Sequence, residues 1–181
     1  MSLAIEQILN GVQFGVMIFL LAAGLTLVFG IMGVINLAHG SLYMLGAFVA
    51  ASSAAHGVPF ALAVAAGAAA AALAGVVMEL VVIRRLYRRE HLDQVLATFA
   101  LILIANDGVS AVWGKTPLRI DVPGALSGTV TLGGLVYPTY RLLLIAAGII
   151  AAAGLYLLVA RTRLGMLIRA GATHRETVAA L

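Results

Sequence analysis

Long apolar runs, separated by a few short polar intervals, make up most of this chain. No Asp, Glu, Lys or Arg occurs from Gln7 to Met78, a stretch of 72 residues. At ~1.5 Å per residue that is roughly 108 Å of helix, enough for about three crossings of a ~30 Å hydrocarbon core. Two breaks divide it, one at Gly30–Gly40 (GIMGVINLAHG) and one running from Ser52-Ser53 to Pro59. The pattern predicts span one over about Ile8–Phe29, span two over about Asn36–Ala54 and span three over about Phe60–Ile83. An arginine-rich interval, Arg84–Asp93, comes next. Span four is expected over about Gln94–Trp113 and span five over about Arg141–Ala160. Between them lies a Pro/Gly-rich stretch in which Thr129–Tyr137 carries β-branched residues around Gly133-Gly134, the signature of a small hairpin. The expected fold class is all-α: a polytopic transmembrane helical bundle of about five spans forming one domain over 1–181.

Composition settles the solvent. The 181 residues are 63% hydrophobic and 10% charged, with a mean hydropathy of +1.11. A soluble domain is about half apolar and a quarter charged, so this chain has too little polar surface to cover a water-soluble globule. There is no cysteine, which removes disulfides and thiol ligands from consideration. A net charge of +4 invites a nucleic-acid reading. The arginines, however, sit in loops between apolar runs, where positive-inside orientation accounts for them. Two crossings separate the two arginine-rich loops, so they share a side, and their charge makes that side cytoplasmic. Counting back three crossings places the N-terminus outside. The first charge is Glu6, and the apolar run after it is too long for a signal-peptide h-region, so it reads as a retained span.

Small residues recur every fourth position in span three, at Ala63, Gly67, Ala71 and Gly75, and Gly11 and Gly15 repeat that spacing once in span one. Close helix packing is the expectation for both. Glu79, near the inner end of span three, reads as a structural acid paired with an arginine such as Arg84, not a proton carrier. Asn106 and Asp107 fall past the middle of span four, toward its outer end.

Several chemistries are set aside. Gly114-Lys115-Thr116 imitates the end of a phosphate-binding loop, but the required spacing needs glycine where Val109 stands. No nucleotide site, and no cofactor, is expected on this chain. His39, His56, His91 and His174 lack partners at metal-ligand spacing, so no metal is expected. No catalytic constellation is assignable, and the chain is not read as an enzyme.

Two stretches carry positive signals. Asn36-Leu37-Ala38-His39-Gly40-Ser41-Leu42-Tyr43 gathers an amide, an imidazole, a hydroxyl and a phenol at the first break. Broken helices in membranes line protein-walled cavities and expose backbone to polar substrates. The alternative is a satisfied helix start, with Asn36 capping span two and His39 and Tyr43 at the inner interface. Both readings stand at this level. The second stretch, Arg161–Leu181 (RTRLGMLIRAGATHRETVAAL), carries Arg161, Arg163, Arg169 and Arg175 among small residues. Thr173 and Glu176 have capping-box spacing, which predicts a short helix from His174 holding Val178, Ala179 and Leu181. Such a helix lies on the lipid surface or docks into a partner protein.

Three blocks together resemble the permeases of binding-protein-dependent ABC importers for branched-chain amino acids. They are Leu9–Phe48, the MELVVIRRL and LDQVLATFALILI segments within Met78–Ile104, and Arg161–Leu181. The resemblance implies that 161–181 is the cytoplasmic loop that fits a cleft on an ATPase, with Gly165, Arg169, Ala170, Glu176 and Ala179 in the coupling motif. It also implies partners: ATP-binding cassette subunits, a second permease subunit in a heterodimer, an extracytoplasmic substrate-binding protein and membrane lipid, with no nucleic acid. The location it implies is a bacterial inner membrane. Asn36, His39, Ser41, Tyr43 and Asp107 are the candidate pathway residues. Ser41 stands where relatives commonly carry glutamate, and Asp107 where an uncharged polar residue is expected. Family members continue beyond the coupling segment, so the resemblance implies a fragment, a truncated product, or a chain completed by another. Urea and short-amide permeases share these blocks and remain an alternative. So do an ATP-independent channel or secondary transporter, and an inactive membrane protein that sequesters partners.

Overall fold

A computed structural model describes residues 2–132, 135–163 and 165–166. Its long elements are all helices, joined by loops and one hairpin. Helix α1 spans Ser2–Met32, α2 His39–Ala55, α3 Phe60–Met78, α4 His91–Trp113 and α5 Thr139–Arg161. The fold class is the expected all-α polytopic one. Four of these helices are long and apolar enough to cross a membrane. The fifth, α2, has 17 residues, or about 25 Å against a ~30 Å core. It begins at His39 and not at Asn36, which leaves 33–38 as a break in the helical backbone.

Element ends follow local chemistry. Gly33, with φ of 58°, turns the chain left-handed directly after Met32, a conformation that glycine adopts without steric penalty. Gly114, at φ 78°, ends α4 in the same way. Helix α3 does not stop at Met78. It passes through a π-helical turn, Glu79–Ile83, into a last α turn, Arg84–Leu86. The chain then reaches α4 through Glu90, whose backbone is extended.

The chain divides into two compact units. The first comprises 1–31 and 122–181. Its hairpin is the one expected from sequence, with strand β1 (Thr129–Leu132) antiparallel to β2 (Leu135–Pro138) and Val130 opposite Tyr137. Tyr137 is fully buried and donates to Asn10 Oδ1 at 3.1 Å. Arg141, in the first turn of α5, reaches the same oxygen from Nη1 at 2.6 Å. Further along α5, Gly148 meets Val16 and Leu20 of α1 so closely that a Cβ there would collide with the Val16 side chain. Gly11 and Gly15, by contrast, have no neighbour within 4 Å of where a Cβ would sit. The expectation that they pack is corrected, and the close approach on α1 uses Val16 against a glycine of the other helix.

The second unit comprises 32–121. Here the small-residue stripe of α3 packs as expected. A Cβ on Gly67 would strike the Gly46 carbonyl and stand 2.8 Å from Ala50 Cβ. A Cβ on Gly46 would lie 2.9 Å from the Gly67 carbonyl oxygen and 3.1 Å from Ala71 Cβ. Ala63 is fully buried. Lipid tails are as apolar as leucine, so helices in membranes gain little by burying bulk and associate through such close backbone approach. Phe48 of α2 and Trp113 of α4 pack with ring planes tilted by 44° and centroids 5.6 Å apart.

Candidate functional site

The site is the non-helical segment 33–38, between α1 and α2. Val34, Asn36 and Ala38 are buried, and a buried backbone without helical partners must find hydrogen bonds elsewhere. Three side chains supply them. Asn36 Oδ1 accepts from the Ala38 N–H at 3.1 Å, and its Nδ2 points to the Met78 sulfur at 3.7 Å. Gln94 Oε1 accepts from the Ile35 N–H at 3.4 Å. The other end of that amide, Nε2, donates to the carbonyls of Leu86 at 3.2 Å and Arg89 at 3.1 Å. Thr98 Oγ1 donates to the Gln94 carbonyl at 2.8 Å and stands 3.4 Å from the Ile35 carbonyl. One glutamine therefore ties the break to the arginine-rich loop.

Sequence reasoning does not single out Gln94 and Thr98. The available signal is two polar residues four apart at the start of an apolar span, on one helix face. At that end of a helix they read as interfacial. Only the break lying against them shows their use.

The expected pathway residues separate. Asn36 and Ser41 are buried in this unit. Ser41 lines an apolar groove of about 410 Å³ between α2, α3 and α4, with Leu45, Ala74, Met78, Ile104 and Trp113 among its walls. His39 is half-buried. Tyr43 is 54% exposed and Asp107 is exposed on α4; neither lines that groove. Asn36 does not cap α2 directly. The N-cap is Ala38, whose side chain offers no acceptor, and Asn36 forms the turn just before it.

Of the coupling residues, Gly165 is described, whereas Arg169, Ala170, Glu176 and Ala179, and the Thr173 cap, lie outside the described residues. Gly165 is buried, packed so closely on the Leu158 and Val159 carbonyls that a Cβ would collide with both. Its N–H donates to Thr162 Oγ1 at 3.1 Å, the cap-to-third-residue bond of a helix start. A capped turn thus begins eleven residues before the one expected at Thr173.

Glu79 pairs with Arg84 as expected, Oε1 to Nε at 3.9 Å, and also accepts from the Tyr87 hydroxyl. Desolvation, then that hydrogen bond and the Glu79 charge, push the Tyr87 pKa up to about 12, with the Arg84 charge opposing. No group of three metal-ligating side chains occurs among the described residues.

The profile of the branched-chain amino acid transport system permease component family matches residues 7–181. The chain belongs to this family. It is 28% identical over 180 residues to the high-affinity branched-chain amino acid transport system permease protein BraD of Pseudomonas aeruginosa, covering 92% of this chain and 58% of that one. It is 49% identical over 45 residues to the corresponding permease protein LivH of Escherichia coli K12, covering 25% of this chain and 15% of that one. LivH of Salmonella typhimurium matches at the same level. The chain thus spans little more than half the length of BraD. No solved structure matches it.

Proposed function

We propose that this chain serves as a membrane permease subunit of an ABC importer for branched-chain amino acids. The observation that carries the reading is the family match across 7–181, which takes in both the break at 33–38 and the arginine-rich C-terminal stretch. In this reading the chain is not an enzyme. Separate ATP-binding cassette subunits supply the energy, an extracytoplasmic binding protein delivers substrate, and a second permease subunit completes the pathway. The N-terminus lies outside and the loops at Arg84–Arg89 and Arg161–Arg175 face the cytoplasm, in keeping with the positive-inside rule.

Coupling requires only that closure of the ATPase favour one permease conformation over another. The segment 161–181 is the part assigned to meet the ATPase, through Gly165, Arg169, Ala170, Glu176 and Ala179. The turn capped by Thr162 supports that assignment, because it ends α5 and begins a new turn at the start of this segment. Asn36, His39, Ser41, Tyr43 and Asp107 remain the proposed pathway set. Ser41 has the firmest support, as the polar residue in an apolar-walled groove suited to an aliphatic side chain.

The test is co-purification of the ATPase in detergent with the intact chain and with a version whose residues 164–181 are a Gly/Ser linker. ATPase recovered only with the intact segment supports the reading. ATPase absent from both removes it in favour of an ATP-independent channel or carrier. Uptake of leucine against urea, after exchange of binding proteins, then separates the amino-acid from the amide importer.

A further inference from the structure

The π-helical turn at Glu79–Ile83 sets the facing of every later residue on its helix. Its defining bond is the Arg84 N–H donating to the Glu79 carbonyl five residues back. Such a turn holds one residue more than an α turn. In an uninterrupted α-helix, at about 100° per residue, Arg84 would lie about 140° around the axis from Glu79, and Tyr87 about 80°. The extra residue moves both back by one position. Arg84 then occupies the place of the fourth residue after Glu79, and Tyr87 that of the seventh, so all three share one stripe. The Glu79–Tyr87 hydrogen bond and the Glu79–Arg84 pair exist because the turn is π. Conversely, they hold it in that form.

The residues beyond the turn are tied elsewhere too. The Leu86 and Arg89 carbonyls both receive Gln94 Nε2, whose oxygen holds the Ile35 N–H of the broken segment. A change of register at Glu79–Ile83 therefore acts on the break through one side chain.

We propose that Glu79–Ile83 is a two-state register latch, with Glu79 and Tyr87 as its clasp and Gln94 as the link to segment 33–38. When the clasp opens, the turn relaxes to α geometry and Arg84–Arg89 rotates by about 100°. Arg85 takes the half-buried place of Leu86, Leu86 turns outward, and Gln94 loses its two carbonyls. Glu79, Tyr87 and Gln94 are positioning residues in this device and contact no substrate.

The chain has no cysteine, so single cysteines at positions 85 and 86 of the full-length protein in proteoliposomes report the register through their rates of maleimide labelling. In Tyr87→Phe, which removes only the hydroxyl, the ratio of labelling at 86 to labelling at 85 is expected to rise about tenfold, the scale of one charge-assisted hydrogen bond. Glu79→Gln, which keeps an acceptor for the hydroxyl but loses the charge, is expected to raise it by a smaller factor. Deleting Val82 leaves a plain α-helix with the downstream residues in their present places. Tyr87→Phe combined with that deletion is therefore expected to keep the wild-type ratio. Hydrogen exchange at the Ile35 amide should quicken in Tyr87→Phe alone. An unchanged ratio in both Tyr87→Phe and Glu79→Gln overturns the latch. An equal rise with and without Val82 also overturns it, because the change is then loosening and not register. A shifted ratio with an unchanged Ile35 amide overturns the link through Gln94.

Discussion

The two compact units use different means to hold apolar helices together. In the second unit, α2 and α3 meet glycine to glycine, with Gly46 and Gly67 each closing on the other's carbonyl. A buried polar group then braces the neighbouring break, through Asn36, Gln94 and Thr98. In the first unit, α1 and α5 approach at one glycine, Gly148, and a polar knot at one end joins Asn10 to Tyr137 and Arg141. Elsewhere α1 is largely open, with Leu3, Ile8, Phe14, Phe19 and Phe29 all exposed. The lesson concerns where stability resides in lipid. Apolar bulk does not decide it; closely approaching backbones and satisfied polar groups do.

The comparison breaks first at the glycines. Gly67→Val has no room on any side and is expected to cost about 3 kcal/mol by overpacking, read as a lowered midpoint in a denaturant titration of the detergent-solubilised protein. Gly11→Val, where the structure leaves open space, should stay within about 0.5 kcal/mol of wild type. Equal losses in the two variants would mean that the α2–α3 contact is not the close one. Next comes Gln94→Leu, which strands the half-buried Ile35 N–H and two carbonyl partners. A loss of about 2 kcal/mol is expected, with faster hydrogen exchange at Ile35 as its local sign. In the first unit, Asn10→Ala removes the acceptor shared by Tyr137 and Arg141 and should cost about 1 kcal/mol. A loss matching that of Gln94→Leu would erase the contrast between a terminal knot and an internal brace.

The last test is a titration. Tyr87 is raised in the folded state from about 10 to about 12. Above about pH 10 the unfolded chain releases this proton first, so the native state binds more protons and stability falls with rising pH. Its contribution is therefore whole below about pH 10 and lost by about pH 12. Tyr87→Phe should flatten that part of the stability–pH curve. Parallel wild-type and variant curves over this range would show that Glu79 and Tyr87 are not in contact.

Much of the architecture is legible in the chain alone. Five apolar segments, the breaks between them and the hairpin at Thr129–Tyr137 come from hydropathy runs, turn residues and β-branching. All of these act over a few residues and leave local marks. The family is legible too, because its blocks include the polar residues at the break. The Glu79–Arg84 pair is expected from nearness in sequence, but the π turn is what brings the two side chains onto one face.

What sequence could not decide was which of many similar residues meet. Gly11, Gly15, Gly46 and Gly67 look alike in a chain rich in glycine and alanine, yet only the last two lie at a close helix contact. A position facing lipid and one facing another helix are equally apolar, so no alternation of polarity tells them apart. Gln94 and Thr98 look interfacial until the backbone of Ile35, some sixty residues away, is set beside them. The extra residue in the turn at Glu79–Ile83 likewise changes no composition, only an angle. The sequence by itself determined where the apolar helices run and where the chain bends, through the local transfer of apolar groups out of water. Which glycines touch and which amides answer the broken backbone was decided only by tertiary structure, because those partners are distant in sequence and chosen by geometry.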